Sequence, residues 1–595
     1  MKKLAMLFFV LVMSAMAFAQ STVKGVVKDA TGEPVIGATV SVKGVAGSGV
    51  ITDFDGNFSL KMPAGKTQIV VSYVGYLTQT LTAKDGMVVT IKEDATGLEE
   101  VVGVGYGTMK KSDLSGASSS LNEDAIKGSV ITSLDQSLQG RATGVTAVTT
   151  SGAPGSASSI RVRGISSSNA NHKPLYVIDG VIVQGGGQSG SDFGLGDRLG
   201  NGKVSTISPL STINPADIVS MEILKDASAT AIYGAQGANG VVLITTKRGK
   251  SGEAKFSDDG PLAVSRQNMR LDIMNLREYA QYYQDYVKQG WVLENQAEQV
   301  YMDESILGKG TNWQDAIFRT AIQHQHQISA QGGSDKVQYY VSGNYMNQQG
   351  TIIGSNFRRF SVRTNLDAQL KSWLKLGISA TYSDTMDDLK RADGEEGIIG
   401  YSLFTLPDIP IYNIDGSYAT VVREGWTSPN PVALSQMNKY TLNRRKLTGN
   451  IFADISFMKN LIWHAELGYD LSSSDAETFE PSVDLGGWQK DSTQDSWQNN
   501  RNTFWQLKNY LTWSPKFGKH SITAMLGQEC WASTWKYQSI KNTGLPTNDV
   551  LNPSLGTGTP AIGSGFGSAS MASFFTRETY NYDDRSYATY TFRYD

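Results

Sequence analysis

Three oxygen-bearing residues near the N-terminus have the spacing of a calcium-binding loop. Asp53, Asp55 and Asn57 alternate along the chain, and their side chains offer the oxygen ligands that Ca²⁺ prefers. The twelfth position of such a loop needs a bidentate glutamate, but here it is Ala64. We therefore favour the alternative in which Asp55-Gly56 forms a tight hairpin turn without a bound ion.

The other candidates for catalysis or metal binding are isolated. His324 and His326 would share one face of a strand, but no acidic or cysteine ligand accompanies them. A GxxGxxG run begins at Gly234, yet its spacing is not that of a nucleotide-binding loop and no phosphate-binding lysine follows. Cys530 is the only cysteine. With no GxSxG or HExxH motif either, we expect no enzyme activity, no cofactor and no metal site.

Tryptophans are the side chains best suited to hold a ligand. Their flat faces can stack on the apolar C–H faces of sugar rings. Five of them fall in or beside the long connections predicted below: Trp426, Trp488, Trp497, Trp531 and Trp535. Packing within loops and an interfacial aromatic belt are the alternative roles.

These residues sit among strands that the hydrophobic pattern makes plain. Apolar and polar residues alternate from Phe360 to Leu370 and again from Leu374 to Tyr382, and the same pattern recurs after Leu447 and Leu461. Short turns are predicted at 332–336, 371–373, 458–460 and 515–519, and long connections at 383–445, 471–500 and 532–572. Short turns at one end and long loops at the other are typical of a transmembrane β-barrel, whereas a soluble sandwich would mix loop lengths at both ends.

The pattern predicts eleven barrel strands. They lie near Glu253, Gln323, Val337, Arg359, Leu374, Lys446, Leu461, Phe504, His520, Ser573 and Ser586. The first is poor, because only Glu253 to Ser257 alternates before a break at 258–261. The last, from Ser586, ends in the middle of a crossing. We expect an incomplete barrel that alone neither closes nor transports, since an open edge in lipid leaves backbone groups unpaired.

Composition and the N-terminus indicate where the protein works. A net charge of −3 argues against a nucleic-acid partner. No apolar run after the N-terminus is long enough for a membrane-spanning helix, which excludes a helical membrane protein. Lys2, Lys3 and the apolar stretch 4–16 precede Ala17-Phe18-Ala19, so residues 1–19 read as a signal peptide cleaved between Ala19 and Gln20. Export combined with a barrel implies a Gram-negative outer membrane with its lipid.

Residues 20–94 form a small β module in this interpretation. Strands are expected at 23–27, 35–42, 57–62 and 69–81. The segments TVKGVVKDATGEPVIGATVSVKG and ITDFDGNFSL resemble the carboxypeptidase regulatory-like domain, which implies a transthyretin-like sandwich without catalytic machinery. Farther on, residues 276–289 have helical periodicity, with Asn275 and Glu278 as a capping box.

Three further segments carry a second resemblance. SLDQSLQGRATGVTAVTTSGAPGSASSIRVRGISS, PLYVIDGVIV and INPADIVSMEILKDASATAIYGAQGANGVVLITTKRGK occur in order and resemble the plug of SusC-type TonB-dependent receptors. The resemblance makes residues 118–250 an α/β plug domain and residues 251–595 the first part of the barrel. The plug motif residues it singles out are Arg161, Arg163, Gly164, Asp179, Gly180, Lys225 and Asp226. Their charged members could pair with the barrel wall or lie solvated at the surface.

The segment 95–117 holds the TonB box in this comparison. Leu98, Glu99, Glu100, Val101 and Val102 are the residues we expect to lend a strand to TonB. Gly103 interrupts the valine run that is usual in the family, and an ordinary interdomain linker is the alternative. The resemblance implies a barrel of about 22 strands, TonB-driven import and a SusD-type surface lipoprotein as partner. It also favours a glycan as the imported ligand, with an oligopeptide as the alternative. A surface adhesin or a passive porin on the same scaffold is the competing function.

Overall fold

A computed structural model provides the three-dimensional description of the chain. It describes residues 21–595 apart from the following positions: 30–31, 46–47, 64–65, 74–75, 77, 92–100, 105, 111–117, 128–132, 150, 165–172, 184–207, 293–297, 393–396, 420–427 and 486–487. The predicted signal peptide, the box residues 98–100 and Trp426 lie outside the described residues. The chain divides into two compact units, residues 1–101 and 102–595. Within the described part, no helix has the length and apolarity needed to span a membrane.

The first unit is a β-sandwich. Its strands are β1 (Ser21–Lys28), β2 (Thr39–Val42), β3 (Val50–Ile51), β4 (Asn57–Met62), β5 (Gln68–Ser72), β6 (Gln79–Thr82) and β7 (Met87–Thr90). One sheet has the order β4-β1-β7 and the other the order β3-β2-β5-β6. Val27, Val40, Ile69 and Val71 are fully buried between them, which gives this small unit its own core.

Two details of the sandwich bear on the predictions. The strand predicted over 69–81 is two strands, β5 and β6, that pair antiparallel. The carboxylate of Asp53 accepts the backbone N–H groups of Asp55 (3.0 Å) and Asn57 (2.8 Å). These bonds lower the pKa of Asp53 against the opposing effect of burial. The acidic cluster thus closes the predicted turn at Gly56, whose φ is 75°.

The plug segment is a mixed sheet with short helices. Two short strands, β8 (Val101–Val104) and β9 (Gly107–Lys110), precede it and pair with each other. Its elements are β10 (Ser118–Asn122), α1 (Glu123–Lys127), β11 (Val145–Thr149), β12 (Ser158–Val162), β13 (Leu175–Ile178), β14 (Val181–Val183), β15 (Ile218–Leu224), α2 (Ala227–Thr230) and β16 (Val241–Thr246), with 3₁₀ turns at Leu134–Leu138, Pro209–Thr212, Pro215–Asp217 and Ala231–Gly237. Five strands form one sheet in the order β10-β15-β16-β13-β14, and β11 pairs with β12. The mixed α/β character expected of the plug is confirmed.

A large antiparallel sheet, here called the wall, follows the plug. Its strands are β17 (Gly252–Asp259), β18 (Leu262–Ser265), β19 (Ala321–Gly333), β20 (Val337–Gln349), β21 (Asn356–Lys371), β22 (Leu374–Leu389), β23 (Lys439–Met458), β24 (Leu461–Glu480), β27 (Gln494–Trp513), β28 (Lys516–Phe517), β29 (His520–Thr543), β30 (Ala561–Tyr582) and β31 (Ser586–Tyr594). Eleven of them follow one another in chain order, and β18 and β28 pair with β19 and β29. The predicted eleven crossings and short turns are confirmed.

Helices and one small hairpin occupy the longer connections. They are α3 (Leu276–Lys288), α4 (Trp313–Ile317), α5 (Ile398–Phe404), α6 (Pro431–Met437), the hairpin β25 (Val483–Leu485) with β26 (Trp488–Lys490), and 3₁₀ turns at Gln299–Tyr301, Glu304–Ile306 and Pro553–Leu555. The predicted capping box of α3 is present: Asn275 accepts from Glu278, whose side chain accepts from the backbone of Asn275.

Two predictions about the wall are wrong. The first crossing is not cut short, because β18 continues the pairing with β19 beyond the break at 260–261. The long connections are also shorter than predicted, since β22 reaches Leu389 and β29 runs for 24 residues to Thr543. Most outward residues of these strand ends are polar, among them Asp384, Lys536 and Gln538, so the apolar alternation that reveals a strand is interrupted there.

The wall has two chemically distinct faces. Outward residues such as Phe360, Val362 and Leu366 are apolar and more than a third exposed. Inward residues on the same strand, including Arg359, Arg363 and Asn365, are polar and buried against the plug. This alternation is that of a β-barrel with an apolar outer face and a polar interior. The predicted pair His324 and His326 shares the outward face with Ile328.

Candidate functional site

Asp217 forms the first contact between plug and wall. It stands at the start of β15, and its Oδ1 accepts hydrogen bonds from the hydroxyls of Tyr340 (2.7 Å) and Ser342 (2.8 Å) and from the amide of Gln327 (3.1 Å). The Asn214 amide donates to the Gln327 carbonyl oxygen at 2.9 Å. A buried carboxylate needs several donors to offset its lost hydration, and the inward residues of β19 and β20 supply them.

Asp179 forms the second contact, in the turn between β13 and β14. Its Oδ2 lies 2.6 Å from the Arg363 guanidinium, and both side chains are 5% exposed. The backbone and hydroxyl of Thr246 donate to the same carboxylate at 3.0 and 2.6 Å. Burial alone would raise the pKa of Asp179, but Arg363, Arg248 and the Thr246 bonds together lower it below its ordinary value. The group is therefore a buried anion held by a wall cation.

The Asp179 turn brings the plug backbone close to the wall. Gly180 has a φ of 92°, and its carbonyl accepts a hydrogen bond from Lys508, which lies 3.1 Å from Glu466. A Cβ at Gly180 would stand 3.2 Å from the Glu466 carboxylate oxygens. Glycine is thus required here both for the backbone conformation and for the close approach.

Two arginines of the wall donate hydrogen bonds to backbone carbonyls in and beside the 3₁₀ turn Pro209–Thr212. Arg359 donates to the carbonyls of Ser211 and Ile213, each at 2.9 Å. Arg444 donates to the Ser208 carbonyl at 3.1 Å and pairs with Asp387 at 2.9 Å. Both guanidinium groups are buried, so each is oriented by the groups it binds. Their positions on the polar parity of the strands were the only signal in the sequence.

Tyr106 lies between plug and wall, four residues after the last residue of the predicted TonB box. It is 5% exposed, and its ring stacks on Phe575 with centroids 4.6 Å apart and an interplanar angle of 19°. Tyr233 of the plug stacks on it at 6.1 Å, and the Lys508 ammonium stands 5.0 Å from its ring centroid. Apolar contact and a cation–π interaction therefore hold this side chain in place.

The hydroxyl of Tyr106 joins a buried charge pair. It donates to Glu529 at 2.6 Å, and Arg593 lies 2.7 Å from the same carboxylate. Arg593 also donates to the carbonyl of Ile232 in the plug at 2.7 Å. Burial and the nearby Glu529 raise the pKa of Tyr106, so its hydroxyl stays protonated and remains a donor. This residue was not identified from the sequence, where it is one tyrosine between two glycines.

The remaining plug motif residues lie apart from these contacts. Arg163 pairs with Asp226, and Lys225 donates to Ser119 (2.6 Å) and to the carbonyl of Thr143 (2.8 Å), all within the plug. Arg161 and Gly164 are exposed. Among the predicted charged residues, Asp179 contacts the wall through Arg363.

The predicted stacking tryptophans divide between the two faces of the wall. Trp531 and Trp535 share the inward parity of Glu529, whereas Trp497 faces outward with Trp505. Trp488 belongs to the β26 hairpin. No group of three or more histidine, cysteine, aspartate or glutamate residues suited to a metal ion occurs among the residues that the structure describes.

A plug segment bound by polar contacts to the inner face of a transmembrane-type sheet defines the class of TonB-dependent receptors. Two family models match accordingly: the CarboxypepD_reg-like domain over residues 23–102 and the TonB-dependent Receptor Plug Domain over residues 110–241. The chain is 35% identical over 560 residues to the TonB-dependent receptor SusC of Bacteroides thetaiotaomicron, covering 89% of this chain and 52% of that protein. TonB-dependent receptor P3 of Formosa agariphila is 30% identical over 616 residues, covering 100% of this chain and 56% of that protein.

The chain belongs to the SusC-type TonB-dependent receptors of the outer membrane. It spans about half the length of the curated relatives it matches. Among solved structures, the RagAB peptide importer in its open-open state superposes with a TM-score of 0.70 at 24% identity, covering 83% of this chain and 56% of that chain. That likeness concerns the fold, a wall of antiparallel strands with a plug against its inner face.

Proposed function

We propose that the receptor containing this chain imports a bulky nutrient through the outer membrane by TonB-driven displacement of its plug. It acts as a transporter and not as an enzyme, and a SusD-type surface lipoprotein delivers the nutrient. The proposal includes the predicted domain boundaries and assigns the role of TonB box to Leu98–Val102. An oligosaccharide is the proposed cargo, and an oligopeptide is the alternative.

The position of Tyr106 is the observation that carries the proposal. Only three residues separate it from Val102, yet it contacts Tyr233 of the plug and Phe575 of the wall. A pull on the box is therefore transmitted to Tyr106 before it reaches the sheet of the plug. Withdrawal of the ring removes one of the contacts between plug and wall, and it takes a donor from the Arg593–Glu529 pair.

The polar attachments of the plug support the same proposal. Asp217 and Asp179 of the plug accept hydrogen bonds from the wall, and Arg359 and Arg444 of the wall donate to plug carbonyls. Water can replace such bonds when the plug moves. A seal made of apolar packing would expose apolar surface on opening, at about 25 cal/mol for each Å². A passive porin or an adhesin needs neither a movable plug nor a strand that TonB can bind.

Deletion of Leu98–Val102 tests this function directly. We expect the variant to lose nutrient uptake while it keeps binding at the cell surface, because the box transmits force and lies outside the ligand site. Uptake of radiolabelled nutrient and retention of nutrient by intact cells measure the two properties. Uptake at the wild-type rate would contradict TonB-driven transport.

Tyr106→Ala separates coupling from the presence of the box. With the box intact but its neighbour detached, we expect uptake to fall strongly and surface binding to persist. Tyr282→Ala is the matched control, since that tyrosine is 44% exposed on α3. Equal loss of uptake in both variants would show that the effect is not specific to the Tyr106 contacts.

A further inference from the structure

Two aromatic rings lie side by side on the inner face of β29. They follow Glu529 along the strand, between it and the end of β29 at Thr543. The ring centroids of Trp535 and Tyr537 are 6.4 Å apart, and the angle between the ring planes is only 6°. Trp535 is 41% exposed. The two rings are therefore parallel neighbours on the inner face, and together they are here called the aromatic platform.

Glycines on the neighbouring strand explain why the rings lie flat. Trp535 pairs with Gly567 and Tyr537 with Gly565 on β30. A Cβ at Gly567 would stand 2.6 Å from Trp535 ring atoms, and one at Gly565 would stand 2.5 Å from the Tyr537 ring. The rings occupy the space that side chains on β30 would fill. One face of each ring packs on the backbone of these glycines. The other face remains open to a ligand.

The platform faces the interior and not the lipid. Trp535 and Tyr537 share the parity of Glu529, which contacts Tyr106 between plug and wall. The pairing of β29 with β27 and with β30 continues without a register shift through this region, so the parity is preserved. Phe566 and Ile562 of β30 have the opposite parity and are 88% and 79% exposed on the outer face.

The side chains around the platform are polar but uncharged. Asn502 and Asn500 of β27 stand directly opposite Trp535 and Tyr537. Asn500 donates to the Ser474 hydroxyl at 3.1 Å and accepts from Gln498 at 2.9 Å. Between Glu529 and Lys541, the inward residues of β27, β29 and β30 are all uncharged: Gln498, Asn500, Asn502, Phe504, Gln506, Trp531, Ser533, Trp535, Tyr537, Ser539, Gly563, Gly565, Gly567, Ala569 and Met571.

We propose that the aromatic platform binds the rings of a neutral oligosaccharide. The C–H face of a pyranose stacks on an aromatic face, and carboxamides and hydroxyls of the kind that border the platform can both donate to and accept from sugar hydroxyls. Among the inward residues of β27, β29 and β30 listed above, an anionic ligand would find no cation with which to pair, and peptide termini would find no charge of either sign. This inference rests on the proposed function in one respect: the imported ligand must reach the inner face of the wall.

Binding to the purified receptor in detergent tests the platform without any transport step. The probes are maltohexaose, xylohexaose and mannohexaose as neutral sugars, hexagalacturonate as an anionic sugar, and a tryptic digest of casein as peptides. We expect calorimetry to detect a neutral sugar, and Trp535→Ala to weaken its binding about tenfold. Trp535→Phe, which keeps an aromatic face, should retain most of the affinity. Trp505→Ala is the matched control, since it removes a tryptophan from the outer face of β27.

Three results would overturn the proposal. One is the failure of every neutral sugar to bind, and another is wild-type affinity in Trp535→Ala. The third is peptide or galacturonate binding that depends on Trp535 while neutral sugars do not bind. None of these bears on whether deletion of Leu98–Val102 stops uptake, so failure of the platform and failure of the proposed transport are distinguishable.

Discussion

The plug is attached to the wall in two regions of opposite chemistry. Against β19 to β24 the contacts are carboxylates, guanidinium groups and carbonyls, exemplified by Asp217 and by the Asp179–Arg363 pair. Against β27 to β31 the polar bonds of Lys508 and Arg593 are joined by aromatic packing, with Tyr106 between Tyr233 and Phe575. We refer to these as the polar attachment and the aromatic attachment.

The difference indicates a division of work. Directional hydrogen bonds fix the position of the plug, and their donors and acceptors can turn to water when it moves. Aromatic packing has little directionality, but it ties the residue next to the TonB box to both parts of the molecule. The polar attachment therefore sets where the plug rests, and the aromatic attachment sets where force enters.

The largest effect is expected from breaking the polar attachment at Arg363. Arg363→Met leaves the buried Asp179 carboxylate without its wall cation and should destabilise plug docking by about 3–5 kcal/mol. Hydrogen exchange over β13 and β14 measures the local opening. Adding Asp179→Asn should restore much of the protection, because the uncompensated charge is removed.

An exposed ion pair on the wall supplies the control for Arg363. Arg445 lies 3.8 Å from Asp384, with side chains that are 54% and 44% exposed, so Arg445→Met should cost at most about 1 kcal/mol. Equal exchange in the two variants would mean that the polar attachment does not position the plug.

A smaller effect is expected from the hydroxyl of Tyr106. Tyr106→Phe keeps the stacked ring but removes the hydrogen bond to Glu529, which should cost about 1–2 kcal/mol in the unfolding free energy. Chemical denaturation measures it, with Tyr282→Phe as the exposed counterpart. An unchanged unfolding free energy in Tyr106→Phe would mean that ring packing alone stabilises the aromatic attachment.

The smallest effect is a dependence of plug docking on pH. The pKa of Asp179 is lowered in the folded state, so its contribution is fully present above the ordinary aspartate pKa of about 4. It is lost as the pH falls through the lower folded value. We expect the difference in denaturation midpoint between pH 7 and pH 3 to shrink in Asp179→Asn. An unchanged difference would show that other carboxylates govern the acid response.

The strands of the wall could be predicted from the sequence in the part where contact with lipid restricts which residues face outward. Lipid demands apolar outward residues, so residues such as Leu366 and Leu376 mark the strands and the short turns between them. Farther along the strands most outward residues are polar, as with Arg501 and Lys536, so the alternation predicts loop where the structure has strand. Pairing continues there because the backbone ladder of each strand extends that of its neighbour.

The polar attachment could be predicted only in part. Asp179 belongs to a motif that resemblance picked out, but its partner Arg363 lies 184 positions away and no local pattern connects them. Tyr106 gave no signal, because burial of a lone tyrosine between glycines depends entirely on tertiary packing. Only part of the aromatic platform could be predicted from the sequence. Trp535 was a candidate ligand-stacking residue, whereas the role of Gly565 and Gly567 became apparent only from the pairing register of β30.

The wall strands are longer than the membrane requires. Part of each strand must satisfy the demands of membrane insertion, and the rest lies beyond the membrane. A strand of 24 residues extends about 80 Å, whereas the apolar band of such barrels is about 25 Å tall. On β27, the outward-facing Trp505 and Trp513 are eight residues apart, about 26 Å along the strand. At the usual tilt of about 40° this spans about 20 Å, most of that band. Substitutions beyond Trp505 are thus free of the demands of membrane insertion. We expect substitutions there to change ligand preference without impairing insertion into the membrane.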